Sequence, residues 1–294
     1  MPRDLEPSLV EKTFLLEALE QKHRLDQRDF DAFRPVSLDF SPDEYGQATV
    51  SIGDTKVLAQ VSAEMAKPNP DRPQEGLLNV SCETTPLAGP AHEVGRQSEE
   101  EQNLARLLEK ALRDSGAVDR EALCMVAGQK VWALRVDIRC LDDHGNLLDC
   151  ACLAAMAALR HFRRPETTLE GDTVTIHSYE ERVPVPLALS HSPFCLTYAF
   201  FPSAALLDPT RLEEQISDGS LTLTLNAQGE ICVFSKVGGS PMHVDDLMRC
   251  VKVASVRVKD FEQLVKSELE KDASRRKFKE GDGGKGADLD IVRR

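Results

Sequence analysis

From Val131 to Leu141 the chain alternates without a break, and that run constrains the fold more than any other part of it. Trp132, Leu134, Val136, Ile138 and Cys140 fall on one side and Arg135, Asp137 and Arg139 on the other, the period-two pattern of a strand buried on one face. Asp142-Asp-His-Gly145 follows with turn residues, and Asn146 through Ala158 then supplies the small and apolar side chains of a closely packed helix. A strand, a tight turn and a helix N-terminus in that order aim unpaired backbone N–H groups at one point, which favours an anion there. Yet no Arg or Lys lies between Gly145 and Leu159. The place has the shape of an anion cradle without a side-chain cation.

The rest of the chain reads as mixed α and β. Ser8-Leu-Val-Glu11, after Pro7, is a capping-box pattern that predicts a helix over 8–22. Gln47–Ile52 and Lys56–Ala63 read as a hairpin across Gly53-Asp54, and Leu77–Thr84 as a further strand. Ser98-Glu-Glu-Glu101 opens a helix expected to end near Ser115-Gly116. After the central strand and helix, Thr173–His177, Phe194–Phe201, Leu221–Asn226 and Glu230–Ser235 are strand-like, and Ser240-Pro241 opens a long final helix. The predicted division is an N-terminal helical extension over 1–30, a first domain over 31–182, a second over 183–272 that begins at the linker Val183-Pro-Val-Pro186, and a disordered tail over 273–294, rich in Gly, Lys and Asp from Glu280 onward.

Composition excludes several classes of function. A net charge of −13 argues against a broad nucleic-acid surface, so any RNA must be held by local basic spots. No apolar run approaches the roughly 20 residues that cross a bilayer, and the acidic start lacks a signal-peptide core, so an intracellular protein without membrane contact is expected. The eight cysteines show no metal-ligand spacing and read as reduced structural thiols, with Cys150-Ala-Cys152 the nearest pair. The seven histidines form no His-x3-His pair, there is no Gly-x-Ser-x-Gly, and Gly238-Gly239 reads as a tight turn, so neither metal nor cofactor is expected. Arg160, Arg163 and Arg164 group where the central helix ends and suit either the negative end of its dipole or an RNA contact.

Five pieces, in order along the chain, carry a resemblance. Arg24-Leu-Asp-Gln-Arg28 is similar to Arg-x-Asp-Gly-Arg with Gln27 for Gly; Gly53-Asp-Thr-Lys-Val57 is similar to a Gly-Asn/Asp-Thr-x-Val turn. Asp71-Arg-Pro-Gln-Glu-Gly76, the helix Leu104–Arg113 and the central strand, turn and helix complete the set. Together they resemble the RNase PH family, phosphate-dependent exoribonucleases and the exosome ring subunits built on the same fold. The resemblance implies an α/β (α+β) RNase PH-like fold of two βαβα-type halves with a C-terminal helix.

Active members hold inorganic phosphate with a Gly-Ser/Thr-Arg turn and carry two aspartates six residues apart in the second half. Set on this chain, Gly145 matches, Asn146 replaces Ser/Thr and Leu147 replaces Arg; the aspartates are placed on Pro202 and Asp208, and the latter, followed by Pro209, reads as a turn or cap residue. Phosphorolysis needs both kinds of group, so the resemblance implies a noncatalytic subunit in a six-membered ring of paralogous RNase PH-type subunits, with cap subunits and an associated hydrolytic nuclease, handling single-stranded RNA in nucleus, nucleolus and cytoplasm. The alternatives are an active phosphate-dependent 3′-to-5′ exoribonuclease and a stand-alone module of the same fold. Arg106, Lys110 and Arg113, spaced i, i+4, i+7 on one helix, are the candidate RNA contacts. In archaeal members of the noncatalytic branch the first two positions are arginines that grip the RNA backbone; Arg106 matches and Lys110 keeps the charge.

Overall fold

Ser8 opens the first helix, α1 (Leu9–Glu20), through a reciprocal pair of bonds: its hydroxyl accepts from the Glu11 N–H, and the Glu11 carboxylate accepts from the Ser8 N–H. The computed structural model describes residues 7–89, 98–170, 173–177, 181–202, 204–239 and 241–283. β1 (Val36–Phe40), β2 (Gln47–Ile52) and β3 (Thr55–Ala66) form an antiparallel meander, and Gly53 takes the left-handed φ of +57° that the turn before β3 requires. β4 (Leu77–Thr84) leads through α2 (Glu99–Glu109) and a π-helical turn, Lys110–Asp114, to β5 (Cys124–Val126) and β6 (Lys130–Asp142). Because β4 and β6 are parallel, α2 is the crossover between them; the sheet order is β1-β2-β3-β6-β4, with β5 paired to β6.

β6 alternates as its sequence demands: Trp132, Leu134, Val136, Ile138 and Cys140 are buried and Arg135 and Arg139 exposed. α3 (Leu147–His161) follows and is buried nearly all round. Its alanines and cysteines let it lie between two sheets, against β2, β3 and β6 on one side and β11 (Phe194–Phe200) on the other. Between them come β7 (Arg163–Arg164), the hairpin β8 (Thr167–Glu170) and β9 (Thr173–Ile176), and β10 (Val185–Pro186), whose pairing with β7 pins the linker down. Beyond β11 the chain forms β12 (Ala205–Leu207), α4 (Arg211–Ile216), β13 (Gly219–Leu225), β14 (Ile231–Gly238) and α5 (Val244–Gly283). The second sheet is antiparallel, in the order β12-β11-β13-β14. One hydrophobic cluster joins Val50, Val57 and Leu134 of the first half to Leu196, Leu223 and Val258 of the second. Each such side chain contributes about 1.5–3 kcal/mol when fully buried, so the halves stabilise each other.

One expectation needs correction. α5 runs to Gly283, through the first part of the segment whose composition marks it as a disordered tail. The reason is a clamp on its far end. His161 accepts from the Gly46 N–H through Nδ1 and meets Asp272 through Nε2, both at 3.2 Å, while Arg276 bonds Asp272 at 2.6 Å and covers the Tyr45 ring. Of the arginines grouped where α3 ends, Arg163 donates to the carbonyls of Arg160 and Phe162, and Arg160, in the last turn, reaches Ser192 and Glu262. Ser240, read as a cap, and residues 284–294 lie outside the described residues.

Candidate functional site

The turn between β6 and α3 is held by groups from three distant segments. Thr55, from the Gly53-Asp-Thr turn, donates its hydroxyl to the Gly145 carbonyl at 2.7 Å and accepts from the His144 N–H at 3.2 Å. Gly145 takes a φ of +91°, and a Cβ there would stand 2.3 Å from the Arg211 nitrogen, so α4 sits directly on the turn. Asn146, left-handed at φ +56° and 1% exposed, precedes the first residue of α3.

Asp208 is the hub of the site. It is fully buried with φ +52°. Oδ1 accepts from Arg34 at 2.8 Å and from the Asn146 amide at 2.6 Å; Oδ2 accepts from Arg28 at 2.8 Å and from the Arg34 N–H and Nε at 2.9 Å each. Arg24 bonds the Leu207 and Asp208 carbonyls and pairs with Glu213 at 2.6 Å. Burial works against the charge of Arg34, but its bonds to Asp208 prevail and push its pKa up. The two arginines of Arg24-Leu-Asp-Gln-Arg28 therefore converge on one segment, and Asp208 is an ionic hub rather than the simple turn or cap residue expected from Pro209. Gln27, standing where the resembling motif has Gly, has φ +61°, which gives the physical reason for a glycine there.

A cleft of about 520 Å³ opens over the start of α3. Its walls are α2 (Leu104, Arg106, Leu107), the residues Asn146, Leu147 and Leu148, α4 (Arg211, Glu214), and the outer face of β13 and β14. The anion position at α3 is already taken: the Asn146 N–H donates to the Glu214 carboxylate at 2.7 Å. Burial pushes the Glu214 pKa up to about 8 although the side chain keeps 29% of its surface open, because it sits in a narrow cleft beside Asp143 and Glu100 with Arg211 as counter-charge. Asp149, in the first turn of α3, accepts from the Thr197 N–H and hydroxyl at 2.9 and 2.8 Å; burial outweighs these bonds and raises its pKa to about 7.

The structure places the expected site residues unequally. Asn146 and Leu147 line the cleft, and Asp208 lies behind it. Pro202 does not belong there. It lies past the end of β11 and lines a separate cavity of about 460 Å³ with Phe200, Asp218 and Gly238-Gly239; within β11, Thr197 and Ala199 line the first cavity and Tyr198 and Phe200 the second. The carboxylate pair at six-residue spacing is Asp208 with Glu214, so the corner is not empty of acids. The spacing itself was the signal, obscured by the glutamate. Arg106 lines the cleft and bonds Asn103 at 2.9 Å. Lys110 is exposed and makes no ion pair among the described residues, and Arg113 is tied to Glu109 and Asp114. The three do not form one straight face, because the π-helical turn at Lys110 changes the helical period between them. Among the described residues no cluster of His, Cys, Asp or Glu could hold a metal ion, and the cysteines are free.

Comparison with known proteins agrees with this geometry. Residues 32–165 match the 3′ exoribonuclease family, domain 1, and residues 191–257 match domain 2 of the same family. The exosome complex component rrp45 of Schizosaccharomyces pombe is 46% identical over 86% of this chain and 88% of its own length. The exosome complex component RRP45 of Bos taurus is 44% identical over 95% of this chain, which spans 62% of that protein. Among solved structures, a chain of the Archaeoglobus fulgidus exosome with RNA bound to the active site superposes with a TM-score of 0.76 at 30% identity, covering 86% of this chain and 97% of that one. The chain belongs to the 3′ exoribonuclease (RNase PH) family.

Proposed function

We propose that the chain is a noncatalytic subunit of an RNA exosome ring, seated beside paralogous RNase PH-type subunits and helping to form the channel that threads single-stranded RNA for 3′-to-5′ processing and degradation. One observation carries the noncatalytic part. Leu147 stands where a phosphate-binding arginine is needed, and the backbone N–H beside it is occupied by the chain's own Glu214. Loss of one such donor typically costs about 100- to 1000-fold in rate, and the Glu214 carboxyl holds the backbone N–H that a phosphate would need. Support for the ring comes from relatives named exosome components and from the archaeal exosome chain. In this reading cap subunits and a hydrolytic nuclease complete the particle, and it works in nucleus, nucleolus and cytoplasm.

A second reading, an active phosphate-dependent exoribonuclease, is favoured by one feature: Asp208 and Glu214 keep two carboxylates at the family spacing. Yet both oxygens of Asp208 are committed to Arg28, Arg34 and Asn146, which leaves it little capacity to manage charge at a leaving oxygen. The purified chain, given poly(A) and inorganic phosphate, is expected to release no nucleoside diphosphate, and Leu147→Arg is expected not to restore release. Diphosphate formed above a no-protein control would establish the second reading.

A further inference from the structure

A smaller cavity, of about 250 Å³, lies at the far end of α3, about 20 Å along that helix from the cleft. Tyr45 from the turn before β2, His161 from the last turn of α3, Arg163 from β7, and Asp272 and Arg276 from α5 meet there. The space is many times the roughly 10–15 Å³ that one water needs. Tyr45 and Arg163 keep part of their surface exposed, so the cavity can be reached from solvent.

The charge state of His161 is set by its bonds. Nδ1 accepts from the Gly46 N–H, so the ring proton sits on Nε2 and is donated to Asp272. The ring is therefore neutral. Among the described lining residues that leaves one carboxylate, Asp272, against two guanidiniums, Arg163 and Arg276. Asp272 already serves both His161 and Arg276, through the same oxygen. Arg163 donates to the carbonyls of Arg160 and Phe162, where the end of α3 supplies roughly half a negative charge. Positive charge remains in excess after both, and a half-buried surplus charge is costly without a counter-ion.

The donors are in excess as well. Arg276 places Nε on Asp272 and Nη2 on the carbonyls of Ser41 and Glu44, and its Nη1 has no acceptor among the described residues. Its Nη2 also stands 3.2 Å from the His161 Nε2, which sets two N–H groups against each other with no acceptor between them. The two guanidiniums sense one another too. Burial lowers the Arg163 pKa, the nearby Tyr45 phenol works against that, and the charge of Arg276 adds to the fall.

A ligand for this corner carries negative charge, close to one unit, and accepts hydrogen bonds from several directions. A phosphate group presents its oxygens tetrahedrally and matches the fork of a guanidinium on more than one side. We infer that the cavity at the end of α3 binds a phosphate group in a singly charged form, held between the guanidiniums of Arg163 and Arg276. The inorganic ion and a phosphodiester of an RNA strand share that chemistry. The site is separate from the cleft over the start of α3, and it does not depend on the chain's place in a ring.

The test is amide hydrogen exchange of the full chain, at constant ionic strength, with inorganic phosphate or with a single-stranded oligonucleotide of RNA. At a ligand concentration ten times Kd, exchange that requires the cavity to open is expected to slow about tenfold. The slowing should appear together in residues 41–46 and 269–276, two stretches far apart in sequence, and not in residues 144–148 at the cleft. Protection by phosphate alone assigns the site to the free ion, and protection by the oligonucleotide assigns it to RNA. Arg163→Gln, checked for unchanged thermal unfolding, is expected to abolish the effect. Should that variant fail to fold, the pattern in the native chain decides. No protection of the two stretches by either ligand, protection spread evenly over the chain as a general effect of phosphate on burial, or protection that persists in Arg163→Gln overturns the inference.

Discussion

Asp208 shows why single residues here are judged by their partners and not by their neighbours in sequence. Its fully buried carboxylate neutralises Arg28 and Arg34, which lie 180 and 174 positions away. Asp208→Ala would leave two cations without their partner in a largely dry site. A loss of about 3–5 kcal/mol is expected, read as a lowered urea midpoint. An unchanged midpoint would mean that water replaces the carboxylate. Gln27 gives a prediction of opposite sign. A left-handed conformation costs a non-glycine residue about 1–2 kcal/mol, whereas glycine loses about 0.5–1 kcal/mol in extra chain entropy. Gln27 is exposed and at φ +61°, so Gln27→Gly is expected to raise stability, by no more than about 1 kcal/mol. A drop in melting temperature would show that the glutamine side chain makes a contribution of its own.

At the scale of elements, α3 is the one that both organises the core and carries the site. Its first turn buries Asp149, whose pKa is raised to about 7, and its last turn buries His161, whose burial lowers its pKa to about 4 despite the attraction of Asp272. The signs differ. A raised carboxyl contributes stability that is complete below its ordinary value and is lost as pH climbs through the raised one. A depressed histidine contributes stability that is complete above about 6.5 and is lost as pH falls through about 4. Between these limits the two trends oppose one another. Above pH 6.5 only the carboxyls still titrate, Asp149 near 7 and Glu214 near 8. Thermal stability is therefore expected to fall from about pH 6.5 to about 8, at up to about 1.4 kcal/mol per pH unit for each proton released. Glu214→Gln should flatten the upper part of that fall. A melting curve series that rises across this window, or a variant with the native slope, would contradict the assignment. The same helix explains what the alternating run could not show. β6 announces itself by period two, but α3 has no polar face, so periodicity says helix without saying what covers it. Short elements such as β12 and α4 carry still less signal, because they are defined by what they pair with: β12 by β11, and α4 by the turn on which it sits.

For the whole molecule the question is what a chain of net charge −13 offers RNA. Arg106, at the cleft, and exposed Lys110 are the cations best placed to meet phosphate, while Arg113 is engaged by its own acidic neighbours. In an assembled ring, Arg106→Glu with Lys110→Glu is expected to weaken single-stranded RNA binding whatever the sequence, and to flatten the salt dependence by about one or two counterions. Assembly should survive, because buried Leu108 and Leu112 hold this helix down. Unchanged affinity and salt slope would return both residues to a solvated role, and failure to assemble would make them interface residues. The sequence by itself determined the strands and helices whose periodicity or caps are local: α1 by Ser8 and Glu11, the β2–β3 hairpin by Gly53, and β6 by its alternation. It also determined that the start of α3 supplies no side-chain cation of its own, since that is a matter of composition over a few residues. Only the tertiary structure decided that Asp208 is a buried ionic hub, that Pro202 faces another cavity, and that Glu214 fills the anion position. Those outcomes depend on which face of β11 a residue takes and on contacts between groups 62 to 180 residues apart, as in Asn146 with Asp208 and Arg28 with Asp208. No local pattern encodes such distances; they exist once the two sheets have closed on α3.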